Sequence, residues 1–472
     1  MDQAAQRPPA RELPVLALRV SRVLTSITSP LGVAPTGVAR RAGGGVQLAR
    51  FPARSPGDTV LTWVALKRWS LPIILNLIAA VIYITVGFAS GLLIPVQTAH
   101  AGFFSLFSSN DSLQYHAVAD WIFGAPRPVA ASAGRPFLYP LLLGIAERIG
   151  GLRGIWLLNV VLWFTALNFA AAATYRFVKS RWAAAIVFLV LAANASLVVL
   201  TFKGLTEVTT VALLAIWIYG ISHLTRRPTP SQVAWALLPL ALLVVVKPQF
   251  ELLLIVVAVV LIVGIWKSPA RGLAAVVFVA CLIPVAIQLT LMAYFNGYFG
   301  LSNVGESTLR GYYLPRLEVA IGQSRTITEA RLRIALLSNI EIARFVFGHF
   351  GDAVAVFVTS LKENLLAGDG FVRGHQRLSD AIQVTQFVYF VLQLALVPLA
   401  AMALSFKRDG RLALLYIATL NVYLAGGFTF NQGDRIMIIA LPLWLIAFVV
   451  AIYEVGGVER ARSLSKRFRT AG

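Results

Sequence analysis

Long apolar runs separated by short polar connections dominate the chain from residue 69 onward. About ten such runs fall at 69–95, 154–175, 182–202, 207–225, 232–247, 249–266, 272–294, 384–405, 412–428 and 435–454. Most approach or exceed the roughly 20 residues that carry a helix across a bilayer. Backbone polar groups have no water to bond in lipid, so the pattern predicts an all-α integral membrane protein of about ten transmembrane helices. The stretch 137–150, FLYPLLLGIAERIG, is apolar but short and ends in charges, which predicts a helix lying at the interface. Two connections are long, at about 96–153 and 295–383, and carry further amphipathic segments such as EIARFVFGHFGDAVAVFVTSLKENLL.

Composition agrees with this class: 58% of the 472 residues are hydrophobic and 13% are charged. A net charge of +21 would suggest a nucleic-acid partner in a soluble protein. Here the cations cluster beside the apolar runs, as membrane orientation requires, so no nucleic acid is expected. Lys67 and Arg68, Arg176, Lys179 and Arg181, Arg226 and Arg227, Lys267 and Arg271, and Lys407, Arg408 and Arg411 fall on alternate connections. The intervening short connections hold only Lys203, Lys247 and Arg435. That alternation predicts a plasma (inner) membrane protein with both termini cytoplasmic and both long loops outside. Residues 1–66 read as a disordered basic cytoplasmic tail, with an organellar leader or an over-extended start as the alternatives. Residues 67–454 read as the multi-spanning domain and 455–472 as a second basic tail. Cys281, the one cysteine, lies in an apolar run and reads as a packed residue, so neither a disulfide framework nor a thiolate metal site is expected.

The candidate chemistry lies where acids and cations meet the outer ends of the runs. In SSNDSLQYHAVADWIFGAPRP, residues 108–128, Ser109 or Asn110 can cap a short helix, and Leu113, Ala117, Val118 and Trp121 form an apolar stripe. Asp111 and Tyr115 share a neighbouring face at i, i+4. Glu207 opens the fourth run with Lys203 four residues before it, Lys247 closes the fifth four residues before Glu251, and Arg435 opens the last after Asp434. Structural ion pairs, Lys203 with Glu207 and Lys247 with Glu251, are the bland account of these groups. Their collection on one side is the functional one, because ionisable groups at membrane depth are costly. Transfer of a sugar from a lipid phosphate needs cations for the leaving phosphate and one carboxylate for the acceptor hydroxyl, and this set supplies both.

The ordered set resembles the multi-spanning C-type membrane glycosyltransferases, the group of the protein O-mannosyltransferases and lipid A aminoarabinose transferases. The resemblance rests on Asp111, Tyr115, Ala119 and Gly124, then GRPFLYPLLLGI with Arg135, Pro136, Tyr139 and Pro140, then Glu207, Lys247, Arg435 and Pro442. It implies an inverting transferase that moves a sugar from a polyprenyl-phosphate donor to a glycan, lipid or protein acceptor. Asp111 would be its general base and Glu207 a second acidic site residue. Tyr115, Arg135, Lys203, Lys247 and Arg435 would bind substrate. Many relatives place a second acid directly after the first, where this chain has Ser112. No cofactor is required, and a divalent metal is permitted without support. His116 and Asp120 read as surface residues. A flippase or transporter of lipid-linked sugars, a polysaccharide polymerase or ligase using Arg373, His375 and Arg377, and a non-catalytic membrane scaffold are the competing readings.

Overall fold

The computed structural model describes residues 70–93, 106–107, 109–129, 133–366, 376–407, 409–429 and 434–470. The expected N-terminal tail and the Arg373–His375 segment lie outside them. Every regular element among the described residues is helical. In chain order these are α1 (Ser70–Ala89), α2 (Asn110–Ile122), α3 (Leu138–Val178), α4 (Arg181–Ala192), α5 (Ala195–Leu200) and α6 (Glu207–Ser222). α7 (Pro230–Val246), α8 (Glu251–Trp266), α9 (Arg271–Cys281) and α10 (Ile283–Asn296) follow. The second long loop holds α11 (Val304–Thr308), α12 (Leu314–Ala320), α13 (Ile327–Ala335), α14 (Asn339–Gly348) and α15 (Phe350–Leu366). The chain closes with α16 (Gln376–Lys407), α17 (Gly410–Gly427) and α18 (Asp434–Thr470).

Six stretches are long and apolar enough to cross a membrane: Leu71–Ala89, Leu138–Val178, Pro248–Trp266, Arg271–Asn296, Asp380–Ser405 and Met437–Gly456. The pair α14 and α15, bent by 90°, makes a seventh if taken as one span. This is fewer than the ten apolar runs. The run 182–202 is broken into α4 and α5, because Asn194 stops one helix and caps the next by accepting from the Leu197 amide. The helices α6 and α7 are only 16 and 17 residues long.

α6 is the axis of the bundle. All its residues except Leu213 and Ile216 are buried, as suits a helix that is apolar on every side. It packs against α3, α7 and α18. Its contact with α7 is close at Gly220, where a Cβ would stand 2.0 Å from the Trp235 carbonyl oxygen. Bulky residues from several helices fill the surrounding core, among them Trp163, Trp217 and Trp444. On the membrane-facing side α8 and α10 leave large apolar side chains such as Leu252, Ile255, Val263 and Ile287 exposed, which a lipid environment would cover.

The 137–150 segment forms the first part of α3, ended by non-helical backbone at Gly150 and by Gly151 at φ +58°. Beyond that break the chain turns sharply. A Cβ on Gly154 would lie 2.0 Å from the Ala146 carbonyl oxygen, although eight residues of straight helix would separate the two by roughly 12 Å. The short segment therefore folds back on the long one, distinct from the spanning part of α3. Within the second long loop, α14 and α15 share a small apolar core with α12 and α13 built on Tyr313, Leu314, Leu317, Ile334, Ile342, Ala353 and Val356.

Candidate functional site

Helix α2 begins at a cap supplied by two serines. The Ser109 hydroxyl accepts from the Ser112 amide, and the Ser112 hydroxyl accepts in return from the Ser109 amide. Ser112, directly after Asp111, is buried and serves as half of this capping box. The helix buries Ser112, Tyr115, Val118, Ala119 and Trp121, while Leu113, expected on the apolar stripe, is 51% exposed. The buried side is therefore rotated toward Tyr115, whose ring meets Tyr139 of α3 edge-on at 5.1 Å. That rotation carries Asp111 to the edge of the bundle.

There it meets two guanidinium groups. One Asp111 oxygen accepts from Arg135, and the other accepts from Arg435 Nη1 at 2.7 Å. Arg435, in the first turn of α18, also donates through Nε to Glu207 Oε1 at 2.6 Å. Lys247, the residue that caps α7, donates to the same Glu207 oxygen at 3.1 Å. Five groups from five regions of the chain thus form one continuous network: Arg135, Asp111, Arg435, Glu207 and Lys247. The network carries three cations against two carboxylates. Glu207 is fully buried, and the Arg135 and Arg435 side chains are each 12% exposed.

The local backbone explains why these partners differ from the nearest ones in sequence. Lys247 is extended (φ −142°, ψ 93°) and is followed by a 3₁₀ turn, Pro248–Phe250. Lys247 and Glu251 therefore never share a helical face, and Glu251 is exposed. Lys247 bonds Glu207 instead. Residues 201–206 are likewise turn and bend, so helical spacing does not govern Lys203 and Glu207. Lys203 is buried, and its carbonyl accepts from Asn159 of α3.

Arg135 is fixed from several sides. It donates through Nε to Gln114 at 2.9 Å and lies 5.0 Å from the centre of the Tyr115 ring. The chain beside it is pinned by buried Gln288 of α10, which accepts from the Phe137 amide and donates to the Leu301 carbonyl. Burial raises the Asp111 carboxyl's pKa, but the charges of Arg435 and Arg135 and their hydrogen bonds outweigh it. The net result holds Asp111 below its ordinary value.

Two polar atoms beside this network have no hydrogen-bond partner among the described residues although both are buried: Glu207 Oε2 and the Tyr139 hydroxyl. Such groups carry a desolvation penalty unless a ligand or water satisfies them. Tyr139 stands in GRPFLYPLLLGI, but nothing in that apolar context marks its hydroxyl as a site group.

A second cluster lies on the opposite side of α2. His116 Nε2 is 3.1 Å from Glu147 and its Nδ1 is 3.4 Å from Asp120. His116 and Asp120, read from the sequence as surface residues, are thus joined to Glu147 of α3. Compared with models of protein families, with curated proteins and with solved structures, the chain matches none.

Proposed function

We propose that this protein is a membrane glycosyltransferase that moves a sugar from a polyprenyl-phosphate donor to an acceptor hydroxyl on the outer face, with inversion. The observation that carries the reading is the network of Arg135, Asp111, Arg435, Glu207 and Lys247, assembled from α2, the α2–α3 connection, α6, α7 and α18. Three clustered cations suit a phosphodiester that must leave with negative charge. Arg435 bridging two carboxylates is organised to exchange one of them for a phosphate.

That exchange supplies a mechanism for the base. With both oxygens on guanidinium groups, Asp111 is a weak proton acceptor. A donor phosphate that draws Arg135 and Arg435 toward itself releases Asp111 and raises its proton affinity at the moment the acceptor hydroxyl needs deprotonating. Attack of that hydroxyl on the anomeric carbon breaks the bond to the phosphate oxygen, and the proton goes to Asp111. Glu207 holds Lys247 and Arg435 in place through one oxygen and keeps the other for a sugar hydroxyl. In this reading the short buried helices α4–α7 complete a bundle of about ten crossings in the plasma (inner) membrane, with both termini in the cytoplasm.

A flippase would need its ionisable groups near the bilayer midplane. The network sits at helix ends instead: Glu207 begins α6, Lys247 follows α7, and Arg435 begins α18. Transfer of labelled sugar from a polyprenyl-phosphate donor by the purified protein tests the proposal. Asp111→Asn is expected to lower turnover by about 10²–10⁴-fold, the usual contribution of a positioned base. Glu207→Gln is expected to weaken donor binding as well. Undiminished transfer by Asp111→Asn would remove Asp111 from the role of base, and donor movement across vesicles without transfer would favour a flippase.

A further inference from the structure

The cluster of His116, Asp120 and Glu147 lies outside the charge network and has its own electrostatic problem. Each residue offers one ligand atom, and the three atoms lie within 4.8 Å of one another. The two carboxylates meet no lysine or arginine among the described residues. The neighbouring cation, Arg148, turns away: it lies 3.7 Å from the Phe123 ring centre and donates to the Gly144 carbonyl. Both nitrogens of one imidazole therefore face carboxylate oxygens. A neutral imidazole has a single N–H, so one of those two contacts would set a lone pair against a lone pair.

We propose that His116, Asp120 and Glu147 form a binding site for a first-row divalent cation, with zinc the best fit. One imidazole nitrogen and two carboxylate oxygens are a common donor set for such ions. Ligand distances of about 2.0–2.2 Å around zinc place tetrahedral donors roughly 3.4 Å apart. The observed 3.1 and 3.4 Å contacts are to different ring nitrogens, so one carboxylate must swing round to share a nitrogen with the other. The three ligand atoms, within 4.8 Å of one another, must draw in to that spacing. His116 and Asp120 are separated by one helical turn and so project from the same face of α2, while Glu147 comes from the short first part of α3. The Phe107 ring lies 4.3 Å from the imidazole and fixes its plane. The side chains are 27%, 43% and 26% exposed, which leaves a path for the ion and room for water as the fourth ligand.

The ion would tie α2 to α3 on the side of α2 away from Asp111. It would act as a clamp that positions the Asp111 helix and touch no reacting atom. The site does not depend on the transferase reading, because binding is measured without donor or acceptor.

The test is calorimetric titration of zinc into tag-free, chelator-treated protein in detergent, with thermal melting alongside. The expected result is one saturable site, with a melting temperature that rises on adding zinc and falls again with chelator. Glu147→Gln and Asp120→Asn, both partly exposed positions, are each expected to weaken binding by at least about tenfold and to abolish the zinc-dependent rise. Elution as a monodisperse peak shows that the variants are folded. Wild-type protein that takes up no zinc, or variants that bind it as tightly as wild type, would overturn the proposal and leave an imidazolium bridging two carboxylates. Zinc binding with no transfer, or transfer with no zinc binding, separates this site from the catalytic one.

Discussion

Asp111 commits both carboxylate oxygens to guanidinium groups, and this sets its behaviour with pH. Its folded pKa lies below the ordinary carboxylate value of 3.8, because Arg435 and Arg135 outweigh the effect of burial. The ionised form is thus favoured in the folded protein. Its stabilisation is fully present above the unfolded value, near pH 4, and is lost as pH falls through the lower folded value. Thermal melting followed downward from pH 6 is expected to show a loss in the wild type, below about pH 4, that is smaller in Asp111→Asn. Equal losses in the two proteins would mean that the Asp111 pairs do not hold in solution. The same residues show what a sequence can and cannot disclose. Asp111, Glu207, Lys247 and Arg435 stood out as charges near the outer ends of apolar runs, and Arg135 through the resemblance carried by GRPFLYPLLLGI. Which carboxylate each cation meets depends on helix ends, and Lys247 turns out of α7 toward Glu207 because the Pro248–Phe250 turn breaks the register with Glu251.

Among the elements, the pair α6 and α7 matters most to the site, since one carries Glu207 and the other ends at Lys247. Their separation is set by Gly220, which lets the Trp235 carbonyl approach where a Cβ would stand 2.0 Å away. Small residues permit such close helix packing in membranes. Gly220→Val forces the two backbones apart, with an expected cost of about 1–3 kcal/mol, typical of overpacking, and a loss of transfer as Lys247 is drawn off Glu207. Gly272→Ala, where a Cβ meets nothing within 4 Å, is the control and is expected to melt within a few degrees of wild type. A Gly220→Val protein that melts and transfers normally would show that this contact does not set the Glu207–Lys247 distance. Periodicity located both helices, because an apolar run reports a helix whatever it packs against. It could not disclose the fold-back at Gly150–Gly154 or the break at Asn194, since both depend on backbone geometry that hydropathy does not encode. Glu147 was passed over for the same reason: its partner His116 is 31 residues away and meets it only across the α2–α3 packing.

At the scale of the whole molecule, the positive-inside pattern and the three-dimensional network bear on one another without sharing an assumption. The first uses the distribution of Lys and Arg along the chain. The second uses contacts that join residues 111, 135, 207, 247 and 435 at one end of the helices. An odd number of crossings between Glu207 and Lys247 would put them on opposite sides of a bilayer, where no ion pair could join them, so the pair bears on the two helices α6 and α7 between them. The remaining question is which compartment that end faces, and single cysteines answer it, because native Cys281 is buried. Val129 at 74% and Leu336 at 87% exposure lie in the two long loops, and Arg227 lies exposed on the opposite connection between α6 and α7. In a Cys281→Ala background, Val129→Cys and Leu336→Cys are expected to react with a membrane-impermeant maleimide on spheroplasts, while Arg227→Cys reacts only after permeabilisation. The reverse pattern would turn the network toward the cytoplasm. A transferase drawing on an outward-facing lipid-linked sugar would then be excluded, and a cytoplasmic donor would have to take its place.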